Sequence, residues 1–347
     1  MDADTYVESL AASTPRSFGF SAATRDEAEG WQRAFRPALS GLVGLEAIAA
    51  RGTPPMDATL VRSEEEPDHV REEWTLETEQ GFHLPFYLLR PLGSSGPRPL
   101  VLTPHGHGKL GKRTYVGLSE SEADRRDMQA GERDIALQAV REGNIAIAPD
   151  MRGFAGLRRR EEIKRDANNS CRTLQMHALL FGRTLIGERV WDIQRLIDWA
   201  VLRDDVDPAA IAITGNSGGG TISVFAAAVD ERIAVCVPSS YFCTFRDSIG
   251  SVYHCECNYV PGIMQLGEMW DVAGLIAPRA FLAVSGRADP LFPIEAVRES
   301  YDQLRRIYAV FDADAECCLS IGEGGHRYYK RDVWPFIERA FASRHVR

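Results

Sequence analysis

From about residue 71 onward, short runs of consecutive apolar residues alternate with longer stretches whose apolar positions recur every three to four residues. Leu100 to Thr103, Ile145 to Ala148, Ile211 to Thr214, Ile233 to Val237, Ala280 to Ser285 and Cys317 to Ile321 are too short for helices and mainly apolar, as strands covered on both faces are. Arg133 to Arg141, Val190 to Leu202, Val297 to Ile307 and Tyr329 to Ser343 carry the helical period. Strands spaced by helices predict a parallel sheet with helices on both faces. Ahead of them, Glu73 to Glu79 alternates polar and apolar residues, Gly81 turns the chain and Leu84 to Leu89 forms a second run. This predicts an antiparallel hairpin, and so a mixed sheet, followed by a Gly93-Ser-Ser-Gly-Pro loop.

Residues 1–70 follow a different pattern and predict an N-terminal helical extension. Trp31, Phe35, Leu39, Leu42 and Leu45 share one face of a helix within Ala23 to Ala50, which Ser21 or Thr24 would cap. Arg51-Gly-Thr-Pro-Pro ends it, and Ser63 to Pro67 is expected to be solvated loop. Residues 71–347 then form the α/β domain. Its two long connections, insertions 153–187 and 239–272, leave the carboxyl edge of the sheet, where ligands of open α/β sheets bind.

Composition narrows the class. A 347-residue chain that is 44% hydrophobic and 26% charged can bury a large core, and its net charge of −9 argues against nucleic acid as a partner. No apolar run reaches the length of a membrane span, and no membrane partner is expected. The N-terminus lacks a basic and apolar leader, and the seven cysteines suggest no disulfide framework, so a cytoplasmic location is expected.

The candidate chemistry centres on Gly215-Asn216-Ser217-Gly218-Gly219, between the Ile211 strand and an apolar helix. A serine hydroxyl becomes a useful nucleophile only when a sharp turn projects it toward a base, and glycine neighbours make room for that turn. Past Ser217, Asp289 follows the Ala280 strand, and His326 sits in a glycine-rich loop before the closing helix. All three fall at one edge of the sheet, with histidine as base and Asp289 as its orienting acid. Asp312, Asp314 and Glu323 are rivals for the acid. His105-Gly106-His107-Gly108 follows the first core strand, so the backbone N–H groups of His107 and Gly218 are the expected oxyanion donors. The His105 side chain reads as structural, and Arg152 as an ion-pair partner. Tyr253 and Tyr259 of the second insertion, with Tyr241, Phe242, Met264, Phe292 and Tyr328, are candidates to line a substrate pocket. His254-Cys-Glu-Cys offers three potential ligands but neither a fourth nor the usual C-x₂₋₄-C spacing, so no metal site is expected.

The set His105-Gly-His-Gly, Asp150-Met-Arg-Gly, Gly215-Asn-Ser-Gly-Gly, Gly286-Arg-Ala-Asp and Gly325-His resembles the α/β-hydrolase superfamily, and within it the dienelactone-hydrolase-like and acetyl xylan esterase-like branch, over residues 72–345. The resemblance implies an acyl-serine mechanism on a small-molecule ester, with no cofactor. Position 217 is serine where dienelactone hydrolases use cysteine. Gly218 stands where acetyl xylan esterases have glutamine, and Phe154-Ala155-Gly156 where they have Gly-Gln-Gly. An amidase or peptidase using the same triad is the first alternative, and a non-catalytic binding protein of the same fold the second. The extension and insertions offer surfaces for a homo-oligomer.

Overall fold

The computed structural model describes residues 2–93 and 96–345, so Ser94 and Ser95 of the Gly93 loop lie outside the described residues. Nine strands form one sheet: β1 (Thr59–Glu65), β2 (His69–Glu79), β3 (Phe82–Pro91), β4 (Arg98–Leu102), β5 (Ile145–Pro149), β6 (Val206–Asn216), β7 (Val235–Ser239), β8 (Ala280–Gly286) and β9 (Cys317–Gly322). Their order is β1-β2-β3-β5-β4-β6-β7-β8-β9. β1, β2, β3 and β5 pair antiparallel, and everything from β5 to β9 is parallel. This is the expected α/β fold, with an antiparallel N-terminal hairpin extended by one further strand.

The parallel strands are buried on both faces because each face carries its own apolar layer. One layer contains the helices Leu185–Ala200 and Gly218–Val229 together with the N-terminal extension. The other contains Ile135–Arg141 and Val333–His345. The sheet thus presents the carboxyl ends of β4, β6, β8 and β9 along one edge.

The extension departs from its expected form in three places. A first helix, Ala3–Ser13, precedes the expected one. The main helix runs Arg25–Val43 and starts at Thr24 in a capping box with Glu27. It stops at Gly44, φ 90°, where a Cβ would lie 2.6 Å from Arg183 Cα, and a short helix Leu45–Ala49 continues. Finally, Ser63 to Glu65 are strand, not loop. β1 is the sheet's edge and is exposed along most of its length, so its charged residues gave no strand signal. The extension is tied to the main domain: Gln32 Nε2 donates to the carbonyls of Gly274 (3.0 Å) and Ala277 (2.7 Å), and Arg36 Nη1 to that of Ala228 (2.8 Å). No helix is long and apolar enough to cross a membrane among the described residues.

Candidate active site

Ser217 sits at the turn between β6 and the helix Gly218–Val229, with φ 57° and ψ −119°. A non-glycine residue held at positive φ is strained, and two backbone bonds hold it there: Ser217 N donates to Ser239 O (2.8 Å), and Ser217 O accepts from Thr221 N (2.9 Å). The glycines are explained by space. A Cβ on Gly215 would lie 2.3 Å from Pro104 O, and one on Gly219 2.1 Å from the same oxygen. The β4 loop therefore presses directly on the elbow. A Cβ on Gly106 would lie 2.5 Å from Asn216 O and 3.2 Å from Ser217 Cβ. That contact places the His105-Gly-His-Gly loop beside Ser217. Gly218 is the first residue of its helix, so its N–H has no partner within the helix.

The loops after β8 and β9 bring the other two residues together. His326 Nδ1 lies 2.8 Å from Asp289 Oδ2. The Asp289 side chain is fully buried, and its other oxygen accepts from the N–H groups of Leu291 (2.9 Å) and Phe292 (3.3 Å). A Cβ on Gly286 would meet Gly325 O at 2.2 Å, so these two loops can approach only with glycine there. Of the rival acids, Glu323 pairs with Arg287 at the surface and Asp314 lies 3.9 Å from Arg305. Ser217 and His326 line one cavity of about 310 Å³, together with Gly106, His107, Thr114, Tyr115, Arg133, Tyr253, His254, Cys255, Asn258 and Leu291. A larger cavity of about 690 Å³, lined by Lys109, Lys112, Asp150 and Arg158 among others, includes neither Ser217 nor His326.

The sequence profile of the acetyl xylan esterase (AXE1) family matches residues 126–259. A Bacillus subtilis (strain 168) protein assigned as a hydrolase, YtaP, is 29% identical over 261 residues, 74% of this chain and 82% of its own. A Bacteroides fragilis NCTC 9343 structure assigned as an acetyl xylan esterase superposes with TM-score 0.75 at 17% identity, covering 93% of this chain and 82% of its own. A glucuronoyl esterase from Solibacter usitatus does so with TM-score 0.65 at 14% identity, covering 95% and 97%. The chain has the α/β-hydrolase fold and is similar to the acetyl xylan esterase family over residues 126–259. At those identities the two solved structures speak for the fold alone.

Of the candidates for the pocket, Tyr253 lines this cavity, whereas Tyr241, Tyr259, Phe292 and Tyr328 do not. Tyr241 and Tyr328 are fully buried in the core, the latter with its hydroxyl 3.0 Å from Thr214 Oγ1. Phe292 lies behind the site, its ring stacked on that of His326 at 5.8 Å. Tyr259 is partly exposed, and its carbonyl accepts from Gln175 Nε2 (2.9 Å), which joins the two insertions. Tyr115 lines the cavity beside Tyr253, and among the described residues the N-terminal extension contributes none of the lining. Tyr115 follows no strand and lies in a four-residue helix, Lys112–Tyr115, so periodicity had no means of placing it.

His105 is structural, as expected. Its Nδ1 faces Gly106 O at 2.8 Å, and its Nε2 accepts from Met151 N at 2.9 Å. Burial drives its pKa down from 6.5 to about 4, against the pull of the Asp150 carboxylate. Between those values the unfolded chain binds a proton that the native chain does not, so stability falls as pH drops through this window, by about 3 kcal/mol in all. His105→Gln, which keeps an acceptor near Met151 N, is expected to flatten this part of the pH dependence. Chemical denaturation of both proteins between pH 7 and 4 checks it; parallel profiles would assign the acid sensitivity elsewhere. Arg152 is also structural: it pairs with Asp192 through two 2.8 Å contacts and with Glu79 at 3.0 Å, all buried.

The sequence showed only half of one grouping, Cys255 and Cys257. His107, Cys171, Cys255 and Cys257 converge, with their ligand atoms all within 4.8 Å of one another. His254, the other member of the local run, turns away: its Nε2 is 3.1 Å from Ser248 Oγ and its ring packs on Phe292. Cys171 comes from the first insertion and His107 from the β4 loop, so no local spacing links them to Cys255 and Cys257. All seven cysteines are free thiols.

Proposed function

We propose that the protein hydrolyses a carboxylic ester with a short acyl group through an acyl-Ser217 intermediate. The observation that carries this reading is the shared edge: a serine held at positive φ opens on the same cavity as a histidine whose Nδ1 is held by a buried carboxylate. His326 takes the Ser217 proton as Oγ attacks the acyl carbon. The N–H groups of His107 and Gly218 receive the developing oxyanion, about 3–4 kcal/mol per donor in comparable sites. Asp289 fixes the imidazole tautomer with Nδ1 protonated, which leaves Nε2 to accept, and stabilises the imidazolium that forms. His326 then protonates the leaving alcohol. A water activated by the same nitrogen releases the acid and restores Ser217. The Ser217 hydroxyl makes no hydrogen bond to a described residue in the free enzyme; catalytic hydrogen bonds commonly tighten only once substrate is bound.

The cavity is at the small end of ligand sites and its walls are mixed in character, which suits a small acyl group on a polar alcohol. The match to the acetyl xylan esterase family favours an acetyl ester of a sugar within that class. The free thiols suit a reducing compartment.

Acyl-length series of p-nitrophenyl esters beside matched anilides test the reading. The expected result is turnover of acetyl and propionyl esters, falling steeply beyond butyryl, with anilides cleaved at least about a hundredfold more slowly because the amine must be protonated to leave. Comparable anilide rates would make the protein an amidase. Absence of both turnover and fluorophosphonate labelling of Ser217 would favour a binding protein of the same fold.

A further inference from the structure

The cluster of His107, Cys171, Cys255 and Cys257 has the dimensions of a closed metal site. In a tetrahedral zinc centre, Zn–S bonds of about 2.3 Å and Zn–N bonds of about 2.0–2.1 Å separate neighbouring sulfurs by ~3.8 Å and sulfur from nitrogen by ~3.6 Å. Here Cys255 Sγ and Cys257 Sγ are 3.5 Å apart, and His107 Nε2 lies 3.5 Å from Cys257 Sγ and 3.9 Å from Cys171 Sγ. Four ligand atoms from three separate segments, all within 4.8 Å of one another, thus have the spacing that the corners of one tetrahedron require. The separation of the two nearer sulfurs exceeds the ~2.05 Å of a disulfide, and a disulfide would not account for the histidine.

Charge and burial agree with this geometry. Three thiolates around a divalent ion leave one net negative charge. Arg189 Nη2 lies 3.3 Å from Cys171 Sγ and is anchored by its 2.7 Å bond to Arg152 O, so a fixed cation faces the cluster. Cys171 and Cys257 are buried, and Cys255 is partly so. The Asn258 side chain donates to Cys255 O at 3.2 Å and receives the Thr221 hydroxyl at 3.1 Å, which ties the second insertion to the elbow helix.

We propose that His107, Cys171, Cys255 and Cys257 bind one zinc(II) ion as a structural site. With four protein ligands it leaves no open position for substrate or water, so the ion is not the catalyst. It clips together the oxyanion loop, the first insertion and the second insertion, segments 64 to 150 residues apart in sequence. His107 and Cys255 also line the cavity, so the clip fixes two of its walls. On binding, each thiol S–H bond breaks as a Zn–S bond forms, and its proton passes to the buffer. The inference does not rest on the ester-hydrolase reading, because metal content is measured without substrate.

The test is metal counting on the full chain purified under reducing conditions from zinc-supplemented cells. Wild type is expected to carry about one zinc per chain. Cys257→Ser and Cys171→Ser are expected to carry almost none, while Cys318→Ser, whose thiol lies outside the cluster, keeps the full amount. Cobalt(II) substitution of wild type is expected to give a thiolate charge-transfer band and the intense visible bands of a tetrahedral centre. This measurement decides the question even if the variants fold poorly. Wild-type protein that holds no zinc and takes up none on titration with reductant present would overturn the proposal. So would a Cys257→Ser protein that retains a full equivalent, or isolated metal-free protein with two of these cysteines joined as a disulfide.

Discussion

Ser217→Ala is expected to lower kcat for a short-chain ester by roughly 10⁴- to 10⁶-fold, the range seen when the nucleophile of a serine triad is removed. The same change should leave stability within about 0.5 kcal/mol of wild type. The physical reason is local. The Ser217 hydroxyl holds up nothing in the free enzyme, while the bonds that hold the elbow, to Ser239 O and from Thr221 N, are made by backbone. Alanine keeps the Cβ and the same strained φ. Ser217→Gly makes the point from the other side: it removes the penalty of a side chain at φ 57° and should be inactive yet more stable, by about 1 kcal/mol or more. Active-site titration with a fluorophosphonate, steady-state kinetics and thermal unfolding on the three proteins check both halves. Residual turnover within a hundredfold of wild type in well-folded Ser217→Ala would remove Ser217 from the mechanism.

What the sequence made legible is whatever is local in the chain. Each core strand from β4 to β9 carries a short, mainly apolar run, and the glycines around Ser217 mark a turn because a Cβ at Gly215 or Gly219 has nowhere to go. Asp289 and His326 were placed by their positions just past strand ends, and the parallel sheet then carries such positions to one edge. The pocket was not legible for the same reason. Tyr241, Phe292 and Tyr328 are aromatic residues near the catalytic loops in sequence, but aromatic character alone does not distinguish a wall from the core behind it. Wall residues such as Tyr115 and Asn258 come from single-turn helices too short to show a period. β1 escaped because an exposed edge strand needs no apolar face. The thiol cluster escaped because its members are brought together only by the folding of two insertions over the β4 loop. Cys255 and Cys257 show half the ligand set, and nothing in the sequence points from them to Cys171 or His107.

Asp289→Asn should be the most informative substitution after Ser217→Ala, with kcat down by about 10⁴-fold and the fold retained. The structure dictates which way the new amide faces. Asp289 Oδ1 accepts from the N–H groups of Leu291 and Phe292, so the asparagine oxygen must occupy that side and its NH₂ must take the place of Oδ2. That NH₂ then donates to His326 Nδ1, 2.8 Å away, where the carboxylate accepted. The imidazole is forced into the tautomer with its proton on Nε2, and the nitrogen that should receive the Ser217 proton is already occupied. The loss is therefore one of tautomer and charge, not of position: KM should change little, and the unfolding midpoint should stay close to wild type because both backbone bonds survive. Asp289→Ala separates the two effects. It abandons the bonds to Leu291 and Phe292 and is expected to be measurably less stable, while its histidine is free to take either tautomer. Steady-state kinetics across pH 6–9 on both variants, read beside their unfolding midpoints, decide the matter. An Asp289→Asn enzyme within tenfold of wild type would mean that another carboxylate orients His326, and would reopen the case for Glu323, Asp312 or Asp314.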